Sequence, residues 1–580
     1  MKSIAKRVFS VVIAVIILFS CQPAFANCSV PIQADIALIH FNPTLGDKSA
    51  NINSLETLIS QSLSQGADIV VTPELATSGY CLTREQVING LGIAAPYNEL
   101  NDIKDLANQY NAYIFVGFPE ISGTAVYNSV VCFGPNNFME LQRKRAKSEW
   151  HDVGNLSFDV IPTPYGDLGP LICSDSYLPD FSRILAMNGA DIIISPANWW
   201  GEGTQVDIWK TNAHDNNVWL FVSNRWGQEL DTRYNPSYLY DMNDSPTAVV
   251  DPKGEVKLVY KTMDDSVKEN KILHYTSTVP SDRIGNAVTS SYSLNYRRPT
   301  AYQQIGNAYY NPDSGNTPVP GLPTAGTTSY SALSYKQSDY FTSNYQAIVN
   351  IFVNNNLKGT GAVVAPDLGL GSFVVNEDAN WRNTCKILKM QKLIDNFDIG
   401  LFTTTVNTIS LGKNYKSLLI FQKGKLPILS KQLHDRGNVI GSGYEPLYID
   451  LNNTRVGIVS GTDFNFPEVS TALAKVGCDT VLVSGSLYNE TSTAADNYYW
   501  NIDGIKSLIK TRVNHCFHIV MADNMFGAIA QSKWGSLNTF DYLNTNYSSV
   551  SKQLDSNDTR DKYLNRYNKK DLDVLIGLNQ

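Results

Sequence analysis

Three side chains in this sequence have types and settings suited to a single reaction. Glu74 follows the apolar run Ala67–Thr72, Cys173 follows Leu171-Ile172, and Lys144 sits in the charged run Arg143-Lys144-Arg145. A carboxylate beside a thiol takes its proton, and the thiolate is a strong nucleophile toward a polarised carbon. The carbonyl oxygen turns negative during attack. An ammonium group and a backbone N–H then supply fixed donors, each typically lowering the barrier by about 3–4 kcal/mol. The Ser174 N–H, at the turn after Cys173, is placed to be the second donor. Once the amine has left, the same carboxylate activates water against the thioester.

Side chains that must converge in this way stand at the carboxyl ends of strands in α/β sheets. The pattern agrees. It predicts a strand at Ala34–His40, an amphipathic helix at Ser49–Leu63 and a strand at Ala67–Thr72 that ends in Pro73-Glu74-Leu75-Ala76. The same order returns later, with a strand at Tyr330–Tyr335, a helix at Tyr345–Asn355 and the run Gly361–Ala365 ending in Pro366-Asp367-Leu368-Gly369. The wording around Cys173, with Pro179-Asp180 and Gly189-Ala190-Asp191, is echoed around Gly461 by Pro467-Glu468 and Gly477-Cys478-Asp479. Cys173 follows Glu74 by 99 residues, and Gly461 follows Asp367 by 94. Shared order, spacing and wording imply a tandem duplication of one α/β domain. Gly306–Thr328, rich in Gly, Pro, Thr and Asn, reads as the connection.

On these residues the sequence resembles the nitrilase superfamily of carbon–nitrogen hydrolases. Thr72–Tyr80 looks like its glutamate motif, Arg143-Lys144-Arg145 its lysine motif and Ile172-Cys173-Ser174-Asp175 its cysteine motif. The resemblance implies a four-layer α-β-β-α sandwich, hence two tandem nitrilase-like sandwich domains. It also implies Cys173 as nucleophile, Glu74 as general base and acid, and Lys144 as oxyanion stabiliser, with Lys147 the rival for that last role. Val116–Glu120 resembles the segment carrying a supporting glutamate, so Glu120 is expected to orient the Lys144–Glu74 neighbourhood. No metal or organic cofactor is implied. Ser174, where true nitrilases commonly carry Trp, favours a small-molecule amide over a nitrile. An acyltransferase using the same thioester and a non-enzymatic binding protein are the alternatives.

In the second copy Asp367 replaces the glutamate, Lys431 stands at the lysine's spacing, and Gly461 leaves no nucleophile; Cys478 is a poor substitute. That copy is expected to be inactive and to offer the partner surface that family members find in another subunit, so pairing is internal or homo-oligomeric. The expected boundaries are 27–305 for the catalytic domain, 306–327 for the linker, 328–545 for the degenerate domain and 546–580 for a terminal helix or tail.

Composition narrows the rest. The 580 residues suit two or more domains, and 43% hydrophobic content supports a sizeable core. A net charge of −8 gives no basic surface for nucleic acid. Lys2, Lys6 and Arg7, the apolar run Val8–Ser20 and the small residues of Ala24-Phe25-Ala26 read as a cleaved signal over 1–26. The expected destination is the periplasm or the exterior, with lipidation at Cys21 as the alternative. No later segment approaches a membrane-spanning length. Removing the leader leaves seven cysteines, an odd number in an exported chain, and no CxxC pair for zinc or redox chemistry.

Overall fold

The computed structural model describes residues 31–146, 148–201, 205–280, 297, 302, 321–370, 373–374, 381–410, 413–433, 447–485, 487, 502–515, 517–533, 536–560 and 569–575. The expected leader, Cys21, Lys147 and most of the expected linker lie outside the described residues.

The first sheet is built from β1 (Ile32–His40), β2 (Ile69–Val71), β3 (Tyr113–Ser122), β4 (Ala125–Gly134) and β5 (Phe138–Arg143). Helices α1 (Lys48–Ser64) and α2 (Asn101–Tyr110) link its parallel strands. The second sheet takes β6 (Leu168–Pro170), β7 (Ile192–Ala197) and β8 (Trp219–Asn224), with α3 (Pro179–Met187) and α4 (Gln205–Asn216) between them. A hairpin, β9 (Gln228–Asp231) and β10 (Tyr238–Asp241), precedes β11 (Thr247–Val250), β12 (Val256–Tyr260) and β13 (Lys271–Val279). The strand orders are β13-β1-β2-β3-β4-β5 and β12-β11-β8-β7-β6.

Helix α1 shows why the sequence folds this way locally. The Asp47 side chain accepts the Ala50 N–H at 3.1 Å, capping the helix, and Gly66 at φ 100° ends it. Ile52, Leu55, Ile59 and Leu63 recur at helical spacing and are buried against the first sheet; Leu55 and Ile59 each contribute about 2 kcal/mol of burial. The strands between helix and second sheet are apolar on both faces, as in Ile69-Val70-Val71, because both faces are covered.

Residues beyond 320 repeat this order. They comprise β14 (Thr327–Ser334), α5 (Phe341–Asn354), β15 (Ala362–Val364), α6 (Trp381–Asn396), β16 (Leu401–Ser410), β17 (Lys413–Gln422) and β18 (Ile428–Lys431). A further sheet follows from β19 (Leu447–Leu451), β20 (Thr454–Ser460), β21 (Thr480–Ser484), β22 (His518–Asp523), β23 (Phe526–Lys533) and β24 (Ser536–Leu543), with α7 (Pro467–Lys475) and α8 (Ile502–Arg512). The chain then adds β25 (Ser548–Asp555) and α9 (Lys569–Leu575). The orders, β25-β14-β15-β16-β17-β18 and β19-β20-β21-β22-β23-β24, run parallel to those of the first unit, β25 standing where β13 stands. The second unit therefore does not stop at 545. β25 pairs antiparallel with β14 from Ser548↔Ser334 to Asp555↔Thr327, and α9 packs on α3. The polar wording SSVSKQLD of an edge strand hid it from the sequence pattern.

The two units meet through helices, α3 and α4 against α7 and α8. One buried apolar cluster crosses this contact, joining Phe181, Ile184 and Trp209 to Phe464, Val469 and Ile509. Buried charges are matched across it, Arg183 and Arg297 on Glu468 and Arg512 on Asp215 at 2.7 Å, and His515 Nε2 lies 3.0 Å from an Asp180 oxygen. No helix among the described residues is long and apolar enough to cross a membrane.

Candidate active site

Glu74 stands three residues past the end of β2, and the next strand is shaped to let it in. A Cβ on Gly117 of β3 would lie 2.3 Å from the Pro73 carbonyl oxygen and 2.9 Å from the Glu74 Cα, so only glycine fits there. The Thr72 hydroxyl accepts the Gly117 N–H at 3.1 Å, and Leu75 takes φ 51° to turn the chain away. Cys173 stands three residues past β6 and opens a short helical turn, Cys173–Tyr177, at φ 46°. Two non-glycine residues in left-handed conformations, one beside the carboxylate and one bearing the thiol, are local strain held by the surrounding packing.

Lys144 follows β5 and is buried, with its N–H on the Asn128 carbonyl at 2.8 Å. Its ammonium bonds Glu74 Oε1, which also accepts the Asn128 amide at 2.7 Å. No N–H or O–H donor reaches the buried Oε2 among the described residues. Asn198, just past β7, donates its amide to the Glu74 carbonyl at 2.7 Å, and its backbone N–H acts to lower the Cys173 thiol. The structure thus brings Glu74, Lys144 and Cys173 into one buried group, exposed by 1%, 5% and 2%.

The electrostatics follow from burial and these neighbours. Burial pushes the Cys173 thiol well up, and Glu74 adds to the shift; Lys144 and the Asn198 N–H pull the other way. The resting sulfur therefore holds its proton, and a base must remove it as attack occurs. Burial alone would lower the Lys144 ammonium, but Glu74, Cys173 and Asp175 outweigh it and hold the group above its ordinary value. The Ser174 N–H lies in the first turn of its helix, where such groups have no intrahelical acceptor.

Glu120 is one step removed from where the sequence placed its effect. It grips Arg143, Oε2 to Nε at 2.7 Å and Oε1 to the terminal nitrogen at 2.5 Å, and accepts the Ser129 hydroxyl at 2.7 Å. It therefore anchors the residue before Lys144. Four contacts went unread in the sequence. Asn128 and Asn198 bond Glu74 as described. Asp175 accepts the Arg145 N–H at 3.1 Å and the Ala146 N–H at 2.6 Å, which clamps the lysine segment to the cysteine turn. His151 is buried beside the trio, with Nδ1 on the Asp152 carbonyl at 3.0 Å. Burial, with Lys144 among the further influences, pushes its imidazole down to about 4, so it is neutral near pH 7.

In the second unit Lys416 bonds Asp367, and Lys431 pairs with Ser417 as Arg143 pairs with Ser129, so Lys431 holds the place of Arg143 and not that of Lys144. The strand registers explain the exchange. Lys416 of β17 pairs with Asn407, as Asn128 of β4 pairs with Pro119, so Lys416 holds the place of Asn128 and reaches the shorter carboxylate from there. Gly461 opens a helical turn after β20 and carries no nucleophile. The backbone clamp persists, with Asp463 accepting the Leu433 N–H at 3.0 Å. Cys478 is buried in the apolar core. No cluster of metal-ligating side chains occurs among the described residues.

A thiol, a carboxylate and an ammonium gathered at the strand ends of a two-sheet α/β sandwich form a candidate centre for nucleophilic catalysis. Residues 35–270 match the family model described as carbon-nitrogen hydrolase. A nitrilase of Pyrococcus abyssi is 31% identical over 205 residues, 34% of this chain and 78% of that protein. A citrullinase of Francisella tularensis is 26% identical over 259 residues, 40% of this chain and 89% of that protein. A solved carbon–nitrogen hydrolase from Helicobacter pylori G27 is 21% identical, with a TM-score of 0.41, covering 48% of this chain and 100% of that one. The chain belongs to the carbon–nitrogen hydrolase family and is a hydrolase acting on carbon–nitrogen bonds.

Proposed function

We propose that this chain is an exported amide hydrolase that works through a thioester on Cys173, with Glu74 as base and acid and Lys144 as oxyanion stabiliser. The observation that carries the reading is the buried convergence of thiol, carboxylate and ammonium, with one carboxylate oxygen that no N–H or O–H donor reaches among the described residues. Glu74 takes the thiol proton as sulfur bonds the carbonyl carbon. The oxygen's negative charge falls on the Lys144 ammonium and the Ser174 N–H. The C–N bond breaks as Glu74 passes its proton to the leaving nitrogen, which departs as the amine. Water then enters, gives a proton to Glu74 and attacks the thioester; the acid leaves and the thiol recovers its proton.

Glu120 supports the site through Arg143, and Asp175 through the backbone after Lys144. The second unit is a degenerate copy of the first, by its strand orders and its substitutions Asp367 and Gly461, and it acts as an internal partner packed on α3 and α4. The leader over 1–26 directs the chain out of the cytoplasm. The test is an ammonia-release screen of amides, ureido acids and nitriles with the wild type and Cys173→Ala. Release from amides by the wild type, with none from the variant at unchanged fold, is expected. Full activity in the variant would remove the mechanism.

A further inference from the structure

A cavity of about 450 Å³ opens beside the hairpin β9–β10, lined by Trp200, Tyr234, Asn235, Pro236, Tyr238 and Tyr240. Its size is that of a small-molecule site. Four of its walls are aromatic rings, Asn235 brings an amide, and none of the six carries a charge.

Its relation to the reacting groups is set from two sides. Trp200 stands two residues past Asn198, which bonds the Glu74 carbonyl and acts on the Cys173 thiol, and two residues of chain span at most about 7 Å. From the other side, the Tyr80 ring lies 5.5 Å from Tyr240 and 5.7 Å from Trp200. Burial pushes its hydroxyl well up, and Glu74 adds to the shift. Trp200 and Tyr240 meet at 4.7 Å and 76°, and Tyr238 meets Tyr240 at 4.8 Å. The hairpin is fixed to the glutamate loop. Glu229 Oε2 accepts the Tyr80 and Cys81 N–H groups at 2.9 Å each, and Arg233 donates to the Leu82 carbonyl at 2.8 Å. The cavity wall and the segment leaving Glu74 are thus tied together by hydrogen bonds.

We propose that this cavity holds a flat, uncharged aromatic group on the acyl side of the substrate, making primary amides of aryl-bearing carboxylic acids the preferred class. The inference rests on the reading of Cys173 as the acyl carrier. A ring entering here loses apolar surface to water and meets rings at edge-to-face angles, which adds to burial. A carboxylate or ammonium would enter without a counter-charge from the lining and would keep its desolvation cost. The reaction itself balances as before: the amide and one water give the aryl-bearing acid and ammonia.

The test compares 3-phenylpropanamide with propanamide by ammonia release from the full chain. The wild type is expected to show at least about a tenfold higher kcat/KM for the phenyl amide. Trp200→Ala and Tyr240→Ala are each expected to lower that ratio about 10–100-fold, and Tyr240→Phe, which keeps the ring, to retain it. Should Trp200→Ala not fold, Tyr234→Ala at a 44% exposed position gives the same reading. Equal wild-type rates on the two amides, or a ratio unmoved by the ring deletions while propanamide is still hydrolysed, overturns the subsite and leaves the hydrolase reading standing. Absence of ammonia from both amides, with Cys173 never acylated, overturns both.

Discussion

Replacing Glu468 by Gln removes one negative charge from the contact between the two units and changes little else. Glu468 of α7 is fully buried and faces Arg183 of α3 at 3.5 Å, while Arg297 binds the same carboxylate. At an effective dielectric constant of about 20, a charge pair at that separation is worth about 5 kcal/mol. Relief of the burial penalty on the carboxylate offsets part of this, and the two guanidiniums are left crowded with Arg512, a like charge that already acts on Arg183. The expected loss is about 3–5 kcal/mol, the range for breaking a buried ion pair. That is a large share of the roughly 5–15 kcal/mol that stabilises a folded protein.

The assay is denaturant unfolding of the whole chain followed by tryptophan fluorescence, to which Trp209 in the contact contributes. The pH dependence adds a second check. Burial alone would raise the Glu468 carboxyl, but Arg183 and Arg297 outweigh it and hold it below its ordinary 4.5. A carboxyl depressed in the folded state stabilises above its unfolded value and loses that contribution as pH falls through the folded one. The gap between wild type and Glu468→Gln is therefore expected to be full at pH 7 and to narrow as pH falls through the lowered folded-state value. A loss under about 1 kcal/mol at pH 7, the size of an exposed pair, would refute the reasoning.

Lys144→Met is expected to lower kcat about 100–1000-fold, the cost of one oxyanion donor, in a steady-state assay with circular dichroism unchanged. Asp571→Asn removes the carboxylate that pairs with the buried Arg145 at 3.0 Å. Because Arg145 adjoins Lys144, kcat is expected to fall about tenfold or more with KM little changed, and an unchanged kcat would show that α9 does not act on the lysine segment. His40 and His151 are both pushed down to about 4, burial being the first cause in each. Each binds a proton in the unfolded chain before it does in the folded one between pH 6.5 and about 4, so stability rises with pH over that window. The expected change is about 3 kcal/mol per histidine, read from unfolding midpoints against pH. His40→Gln should flatten the slope, and an unchanged slope would contradict the assignment.

Much of this was legible in the sequence for identifiable reasons. Parallel strands covered on both faces read as unbroken apolar runs, so Ile69–Val71 and Ile192–Ile194 announced themselves, and the residues just beyond them marked the site. The residues that bond Glu74 and its neighbours laterally were not legible. Asn128, Asn198 and Asp175 are ordinary polar types whose partners lie 54, 124 and 30 residues away, and no local pattern encodes such contacts. The spacing that points to Lys431 assumes the cation comes from the same place in both units. Lys416 arrives from the preceding strand instead, because the register of β16 and β17 aims it at Asp367. β25 escaped because a half-exposed edge strand carries serine, lysine and glutamine where a buried strand carries valine.

The measurement closest to the central claim is peptide mass analysis of the enzyme, acid-quenched while it turns over an amide. The peptide containing Cys173 should carry the substrate's acyl group in place of the thiol hydrogen. Ammonia released at full rate with Cys173 unmodified throughout, or the acyl group found on another residue, would contradict the account.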